Sequence, residues 1–279
     1  MSQTDSASPP IPNVVSIAGV DPSGGAGILA DVKTFSALRA YGCGVIAALT
    51  AQNTRQVTGI ESVSPAFLRL QIDTLFADVR IDAVKVGMLA TADLVRVVAD
   101  AIRRHRPAFV VVDPVMVAKS GDRLLRADAV DALRTELLPL ATVLTPNLPE
   151  AGDLLGREVD ESPDAMRAAA RDLRALGARF ALVKGGHGTG TTLVDILDGE
   201  GATLELPAPR IHTRNTHGTG CTFSSAIAAL LPQRPTVAQA VTEAHAYVAG
   251  AIRAADQLTV GAGHGPLNHF FALWPAAGR

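Results

Sequence analysis

The sequence predicts a single α/β domain in which a mostly parallel central sheet is covered by helices on both faces, giving three α/β/α layers. Short apolar runs rich in Val and Ile alternate along the chain with longer amphipathic stretches of helical period. These runs are continuously apolar, which is typical of strands buried on both faces of a parallel sheet. No internal repeat and no long linker divides the chain, so one domain is expected over residues 14–279.

The first half of the chain predicts alternating strands and helices. A strand is expected where NVVSIAG begins the apolar pattern, and the helix after it should end at Gly42. Ser64 caps the second helix, with Pro65 at its first position. The strands are predicted over residues 13–19, 44–53, 82–89 and 108–116, and the helices over 25–42, 64–79 and 91–105.

The second half continues this alternation and then departs from it. Residues 128–141 and 164–177 have a helical period, and the apolar runs at 142–147 and 179–186 predict two more strands. Two alternating runs around DGEG, within residues 191–210, indicate a β-hairpin. Two final helices are predicted near residues 219–231 and 236–256.

Composition and charge exclude several functional classes. The chain is 48% hydrophobic and 19% charged, with a formal net charge of −2, so no basic surface for nucleic acid is expected. No run of eighteen apolar residues suggests a membrane span, and the two cysteines do not form a disulfide framework. Residues 1–13 are polar, rich in proline and unlike a signal peptide, which predicts a disordered extension on a cytoplasmic protein.

Chemistry-bearing residues collect in the loops that follow the predicted strands. In open α/β sheets, ligands bind beyond the carboxyl ends of the strands, where these loops lie. Each loop alone is explained by turn chemistry, but their concentration at one end of the sheet predicts a site. The seven loops read GVDPSGGAG, TAQNT, VGML, DPVMVAKSGD, TPNLPE, VKGGHGTG and NTHGTGC.

Several familiar signatures are absent. No Gly is followed by Lys, so a P-loop is excluded, and no Gly-x-Ser-x-Gly elbow indicates a hydrolase. GAGILA at Gly25 matches the dinucleotide pattern loosely, but VDPSG separates it from its strand and the second strand ends without an acid. The pairs His264–His269 and His212–His217 lack the helical spacing of a zinc site.

The motif GTGC at the start of a helix predicts an anion-binding site. Gly218 and Gly220 allow backbone N–H groups to converge, and the helix that follows adds its free donors and N-terminal partial charge. Cys221 lies in that field, which should lower the pKa of its thiol and favour the thiolate. The alternative is a glycine-rich cap with a small buried cysteine.

Three further residues favour phosphoryl transfer. Asp113 and Glu150 follow predicted strands near the same edge, and two carboxylates with substrate phosphates can hold Mg²⁺. Glu150 could instead be a stabilising acid in the first turn of a helix. Lys184 follows the buried run RFALV, where its ammonium can reach a phosphate. Together these groups describe phosphoryl transfer without a P-loop.

The sequence resembles the ribokinase-fold kinases, and among them the hydroxymethylpyrimidine/phosphomethylpyrimidine kinases of thiamin biosynthesis. The resemblance covers residues 14 to about 270, and the six ordered motifs are specific. It implies ATP-dependent phosphorylation of a pyrimidine's hydroxymethyl group and then of the resulting phosphate, with Mg²⁺ and in a homodimer. The motifs are AGVDPSGGAGILADVKTFSALRAYGCGVIAALTAQNT, VKVGMLA, VVVDPVMVAKSGDRLL, LTPNLPEAGDLL, LVKGGH and NTHGTGCTFSSAIAA.

The resemblance also implies roles for particular residues. The pyrimidine-recognising position falls on Gln52, whose amide is both donor and acceptor, and the base position falls on Cys221, which removes the substrate proton or only positions the hydroxyl. The anion hole falls on Gly218, Thr219 and Gly220, the pocket lining on Gly19, Asp21 and Met88, ATP binding on Lys184 and Thr216, and the metal ligands on Asp113 and Glu150.

Two alternative functions remain at this point. A pyridoxine or pyridoxal kinase carries the same cysteine-bearing motif, and only Gln52 favours the pyrimidine. A non-catalytic nucleotide-binding protein could keep the fold, although the intact Asp113, Glu150, Lys184 and Cys221 argue against it.

Overall fold

A nine-stranded sheet forms the centre of the molecule. The computed structural model describes residues 10–117, 127–186 and 190–274. The strands are β1 Asn13–Val20, β2 Tyr41–Gln52, β3 Val57–Ser62, β4 Ala83–Val86, β5 Phe109–Val112, β6 Val143–Leu144, β7 Phe180–Val183, β8 Thr192–Gly199 and β9 Ala202–Pro209. Their spatial order is β3-β2-β1-β4-β5-β6-β7-β8-β9.

The six central strands of this sheet are parallel. β1 pairs with β2 and β4, and the parallel pairing continues through β5 and β6 to β7. β3 is antiparallel to β2 at one end, and β8 and β9 form the predicted antiparallel hairpin at the other. The carboxyl ends of the parallel strands therefore meet at one edge, as the sequence predicts.

Helices cover both faces of the sheet, which confirms the predicted three layers. They are α1 Gly27–Ala37, α2 Pro65–Asp78, α3 Ala92–His105, α4 Ala127–Ala132, α5 Leu148–Leu155, α6 Pro163–Ala175, α7 Thr219–Leu230 and α8 Val237–Arg253. Residues of α2 to α6 pack in one apolar core and residues of α1, α7 and α8 in another. Successive strand residues alternate between the cores: Val110 and Val112 face the first, whereas Val111 faces the second.

Side-chain caps explain where several helices begin. Ser64 accepts a hydrogen bond from the backbone of Phe67 with Pro65 at the first helical position, as predicted, and Thr91 and Thr236 cap α3 and α8 in the same way. No described helix is long and apolar enough to cross a membrane.

Some boundaries differ from the predictions. Pro12 O accepts a hydrogen bond from the backbone of Tyr41, so the residues just before residue 14 already join the fold. The first helix ends at Ala37, because Arg39 takes a left-handed conformation (φ 61°) that turns the chain into β2. The rest of the predicted extension, 1–9, and parts of two predicted loops, 118–126 and 187–189, lie outside the described residues, as do residues 275–279.

β3 is a strand that the sequence reading did not predict. Residues 54–63 lack a continuous apolar run, because β3 is an edge strand with mostly exposed side chains. The pairing of Gln52 with Val57 closes a short hairpin over the edge where the site lies. Between Ala51 and Gln52 the register shifts, which re-aims the side chain of Gln52.

Candidate active site

A cavity of about 940 Å³ opens at the carboxyl edge of the parallel strands. Each site residue predicted from the sequence lies in its wall, although those residues come from positions far apart in the chain. They are Gly19, Asp21, Gln52, Met88, Asp113, Glu150, Lys184, Thr216, Gly218, Thr219, Gly220 and Cys221. The fold thus brings together the whole predicted set.

The start of α7 forms one wall of the cavity. Gly218 is the N-cap residue and takes a left-handed conformation (φ 78°), as predicted for a glycine there. A side chain at Gly218 would also overlap the backbone oxygen of Gly25, so the two glycine-rich loops lie in direct contact. Thr219 N donates to Thr216 O at 3.3 Å, whereas the next two N–H groups of α7, those of Gly220 and Cys221, have no partner within the helix and are available to an anion.

Gly220 is needed for space rather than for backbone freedom, which differs from the sequence prediction. Its φ lies outside the left-handed region, because it is the second residue of α7. A Cβ at Gly220 would lie 3.2 Å from Lys184 Nζ and 3.8 Å from Asp113 Oδ2. The missing side chain therefore keeps the helix end close to the buried ammonium.

Lys184 and Asp113 form a buried ion pair at this position. Lys184 Nζ lies 3.1 Å from Asp113 Oδ1. The hydroxyls of Thr145 and Ser224 donate to the same carboxylate at 3.2 and 3.1 Å. Burial raises the pKa of Asp113, but the charges of Lys184 and Lys85 outweigh it and hold the pKa below its usual range. Asp113 is therefore ionised and its lysine partner charged.

Glu150 has a structural role and also faces the cavity. It forms a capping box at the start of α5: Asn147 N donates to Glu150 Oε2 (2.8 Å), and Glu150 N donates to Asn147 Oδ1 (2.9 Å). Burial, assisted by Asp113 and opposed by Lys184, raises the pKa of Glu150 to about 7. The first-turn role considered from the sequence is thus present in the structure.

The donor set is consistent with magnesium bound through substrate. Among the residues that the structure describes, no group of three or more His, Cys, Asp or Glu could enclose a metal ion. Mg²⁺ is commonly held by one or two carboxylates together with phosphate oxygens and water. Asp113 and Glu150, two carboxylates facing one cavity, fit that coordination.

The pKa of Cys221 contradicts the sequence prediction. Its thiol is half-buried at the third residue of α7. Burial raises the pKa to about 11, and the nearby carboxylates of Asp31 and Asp113 add to the effect. Lys85 and the backbone N–H of Gly27 oppose the shift without cancelling it. The thiol is therefore protonated at neutral pH, because burial and two carboxylates outweigh the field at the helix end.

The other end of the cavity has the predicted substrate residues. The Met88 side chain lies against Gly19, since a Cβ there would be 3.4 Å from Met88 Cε. Asp21 lines the cavity, but its carboxylate accepts hydrogen bonds from Ser23, Ala26 and His217. Asp21 thus fixes the loop after β1, and its side chain has little capacity left for a ligand.

His217 is a site residue that sequence reasoning missed. Its Nε2 donates to Asp21 Oδ2 at 2.7 Å, and both side chains are buried. This contact joins the loop after β1 to the loop before α7, residues 214–218. The histidine lies directly before GTGC, so its neighbourhood was the available signal.

A buried polar junction beneath Cys221 was also missed. Lys85 and Asp31 form an ion pair of 2.8 Å in which neither side chain is exposed. The hydroxyls of Ser16 and Ser225 donate to the same carboxylate at 2.6 and 2.7 Å. The junction therefore links β1, α1, β4 and α7. A lysine inside the apolar strand AVKV was the signal in the sequence.

The hairpin between β2 and β3 is attached to the C-terminal part of the chain. Thr54 accepts hydrogen bonds from the backbone of Gly263 and His264, at 3.1 and 2.8 Å. Two residues further, Gly265 N donates to the side chain of Asn215 and Gly265 O accepts from His217 N. The segment 263–265 therefore ties the hairpin that carries Gln52 to the loop before α7, which contains Asn215 and His217.

The fold and the site define a kinase of the ribokinase-like class, since an anion-binding helix start, a buried lysine and two carboxylates share one cavity. The family model described as phosphomethylpyrimidine kinase matches residues 21–268. The chain belongs to this family.

Individual relatives agree with this assignment. The chain is 49% identical to the hydroxymethylpyrimidine/phosphomethylpyrimidine kinase of Salmonella typhimurium, over 94% of this chain and 98% of the relative. The solved phosphomethylpyrimidine kinase of Clostridium difficile has a TM-score of 0.77 and 38% identity, covering 86% of this chain and 99% of that one. The Bacillus subtilis pyridoxal kinase in an ADP complex has a TM-score of 0.86 and 35% identity, covering 93% and 98%.

Proposed function

We propose that the protein transfers phosphate from ATP to the hydroxymethyl group of 4-amino-5-hydroxymethyl-2-methylpyrimidine and then phosphorylates the monophosphate to the diphosphate. The observation that carries this proposal is one cavity with an anion-binding centre between two ends of different chemistry. Gln52 and Met88 line the cavity beside the ends of β2 and β4, and the apolar Val248 and Ile252 line it from α8, which packs against α7 and β9 towards the other side of the sheet. A small polar ring could thus bind at one end of the cavity and a nucleotide base at the other, with the transferred phosphate at the centre between them.

The order of the strands supports this arrangement. Gln52, Gly19 and Met88 follow β2, β1 and β4, which are neighbours in the sheet. Asp113, Glu150 and Lys184 lie near the ends of β5, β6 and β7, which continue in the same direction. The residues proposed to bind the ring and those proposed to bind the phosphates therefore occupy consecutive positions across the sheet.

The residues at the centre of the cavity stabilise the charge of the phosphoryl group and position the substrate hydroxyl. Lys184 and the first N–H groups of α7 stabilise the charge that spreads over the transferred phosphoryl group. Cys221, a thiol at neutral pH, positions the substrate hydroxyl beside that group. Gly220 leaves the space in which the phosphoryl group can approach Lys184.

We further propose that Asp113 and Glu150 hold Mg²⁺ together with the phosphates of ATP. The bound ion neutralises phosphate charge. Glu150→Gln tests this, because glutamine can keep the capping box with Asn147 while losing the negative charge. The expected result is a higher Mg²⁺ concentration for half-maximal rate with an unchanged melting temperature. An unchanged Mg²⁺ requirement would place the ion elsewhere.

A cytoplasmic homodimer is also proposed. Support for self-association comes from two large apolar side chains that are exposed on elements in contact with each other, namely Leu49 on β2 and Phe67 on α2. Analytical ultracentrifugation of the wild type and of Phe67→Glu tests the dimer, which the charged variant should weaken. A monomeric wild type at micromolar concentration would contradict it.

A coupled ADP-release assay tests the function with the hydroxymethylpyrimidine, its monophosphate and pyridoxal side by side. We expect kcat/KM at least about tenfold higher for the pyrimidine than for pyridoxal, together with turnover of the monophosphate. Lys184→Ala serves as the control that ADP release belongs to this chain. Equal or better use of pyridoxal without turnover of the monophosphate would instead assign the protein to vitamin B6 phosphorylation.

A further inference from the structure

The hydroxyl of Thr50 contacts two oxygen atoms at once. Thr50 Oγ1 lies 2.9 Å from the backbone oxygen of Val20 and 3.1 Å from Gln52 Oε1. A hydroxyl has one proton to donate, and a backbone carbonyl oxygen can only accept. The proton must therefore lie between Thr50 and Val20, because two oxygens at 2.9 Å repel each other without one.

This requirement determines how the amide of Gln52 is oriented. Because the Thr50 hydroxyl donates its one hydrogen bond to Val20 O, Thr50 Oγ1 can only accept a hydrogen bond from Gln52. The amide supplies a donor when its nitrogen, rather than its oxygen, faces Thr50, which a half-turn about the last side-chain torsion achieves. The chain of hydrogen bonds then runs from Gln52 Nε2 to Thr50 Oγ1 and on to Val20 O, and every group is satisfied.

We infer that Thr50 is a positioning residue that fixes the amide of Gln52 with its carbonyl oxygen available to the cavity. Both side chains line that cavity. Gln52 then offers one acceptor, Oε1, and one remaining Nε2 proton as a donor. With the opposite orientation, Oε1 would be engaged by Thr50 and the two Nε2 protons would face the ligand.

The backbone around Thr50 makes it a suitable reference for this orientation. Val20 and Thr50 belong to the paired strands β1 and β2, where Val20 is in register with Leu49. Thr50 and Gln52 are two residues apart on one strand, and their side chains contact each other beside the irregularity at Ala51. The sheet thus holds the hydroxyl in place, and the Gln52 side chain takes its orientation from it.

The orientation of the Gln52 amide selects ligands by the order of hydrogen-bond donors and acceptors along one edge of the ring. An aminopyrimidine presents an amino donor next to a ring-nitrogen acceptor, which complements Oε1 and the remaining Nε2 proton. The 4-oxo analogue of the same pyrimidine has the same shape but presents an acceptor next to an N–H donor, so both contacts would be mismatched. This inference rests on the proposed function, because it assumes that Gln52 contacts the pyrimidine ring.

The test compares kcat/KM for the 4-amino and 4-oxo pyrimidines. Thr50→Val removes the hydroxyl and frees the amide to turn, so the preference for the amino compound should fall by about tenfold. Thr50→Ser keeps the hydroxyl and should restore the preference. Thr58→Val is the matched control: it removes a hydroxyl that donates to Ala51 O at 3.0 Å on the same hairpin and does not line the cavity, so the preference should not change.

The possible outcomes separate this inference from the proposed function. An unchanged preference in Thr50→Val, with a reduced one in Gln52→Leu, overturns the role of Thr50 alone. An unchanged preference in both overturns the Gln52 contact as well, whereas failure of the wild type to phosphorylate the pyrimidine overturns the function. Thr50→Ala removes the same proton without a branched side chain and repeats the comparison if melting shows that Thr50→Val is misfolded.

Discussion

Cys221 is a half-buried thiol beside the proposed phosphate site, and its protonation can be tested through pH. With a pKa of about 11, the thiol stays protonated between pH 6 and 9. Cys221→Ser should therefore keep kcat within about tenfold and leave the pH profile over that range unchanged, because serine can still position the hydroxyl. Steady-state kinetics across this range measures both quantities. A fall of about 10²–10⁴ with a shifted acidic limb would show that a thiolate acts as the base.

Gly220 provides a second test at a single residue. Gly220→Ala puts a methyl group 3.2 Å from Lys184 Nζ, where the phosphoryl group should approach. We expect kcat to fall by about 10²–10³, as when one oxyanion donor is lost, with little change in the melting temperature, since alanine favours a helix. Gly59→Ala is the control, because its Cβ would meet only Ala51 at an ordinary 3.7 Å. Near-normal turnover of Gly220→Ala would contradict the placement of the phosphate.

The members of the site could be predicted from the sequence, but their electrostatic states could not. Loop chemistry after each strand indicated Asp113, Glu150 and Lys184, because parallel strands end at a common edge. The pKa of Cys221 depends on how deeply the thiol is buried and on Asp31, which lies 190 positions away in the chain and was given no role in the site. Such long-range contacts have no local signal.

The position of the β2–β3 hairpin can be tested by changing a residue of segment 263–265, which contacts the hairpin turn. A Cβ on Gly263 would overlap the backbone oxygen of Thr54, so Gly263→Ala should push the hairpin tip away from segment 263–265. Because Gln52 is the last residue of β2 and lies next to the turn of this hairpin, KM for the pyrimidine should rise about tenfold, while KM for ATP changes less than about twofold. Both constants come from initial rates.

Gly201→Ala controls for strain at a hairpin turn that does not line the cavity. Gly201 also has a positive φ (78°), in the turn between β8 and β9, and nothing lies within 4 Å of its Cβ position. This variant should lose stability without a change in either KM. An equal rise of both KM values in Gly263→Ala would show a general disturbance rather than a displaced hairpin.

Elements buried on both faces were predictable, and edge elements were less so. The strands FVVV and FALV could be predicted from their continuous apolar runs, because such runs are typical of strands in a sheet that has helices packed on both faces. β3 exposes most of its side chains and depends on pairing with β2, so its sequence VTGIES has no comparable pattern. The helix 128–141 was predicted as one unit, yet it continues from α4 into a π-helical segment at Leu133–Leu137.

The free energy of unfolding should depend on pH because of the protonation of His269. This histidine is buried, and burial, followed by the charge of Lys33, lowers its pKa from the ordinary 6.5 to about 4. Between these values the unfolded chain binds more protons than the folded one, so stability is complete above about pH 6.5 and is lost as the pH falls towards 4. At about 1.4 kcal/mol per unit, the loss is about 3 kcal/mol.

Urea unfolding at several pH values measures this loss. His269→Gln should be less stable than the wild type at pH 7, yet its stability should fall less steeply between pH 6.5 and 4, because glutamine does not titrate. The difference between the two curves isolates the histidine from carboxylates that titrate in both proteins. Parallel curves would mean that His269 does not take part in the acid response.

The junction of Lys85 and Asp31 constrains how this protein can change over time. Replacing either residue alone leaves a buried charge without its partner, which costs about 3–5 kcal/mol, whereas replacing both by apolar residues of similar volume removes the two charges together and leaves only the hydroxyls of Ser16 and Ser225 without their acceptor. A survey of one substitution at a time would therefore score both positions as intolerant, although the fold itself does not demand a charge there. Divergence at this point has to proceed by paired substitutions, so the two positions should vary together or not at all.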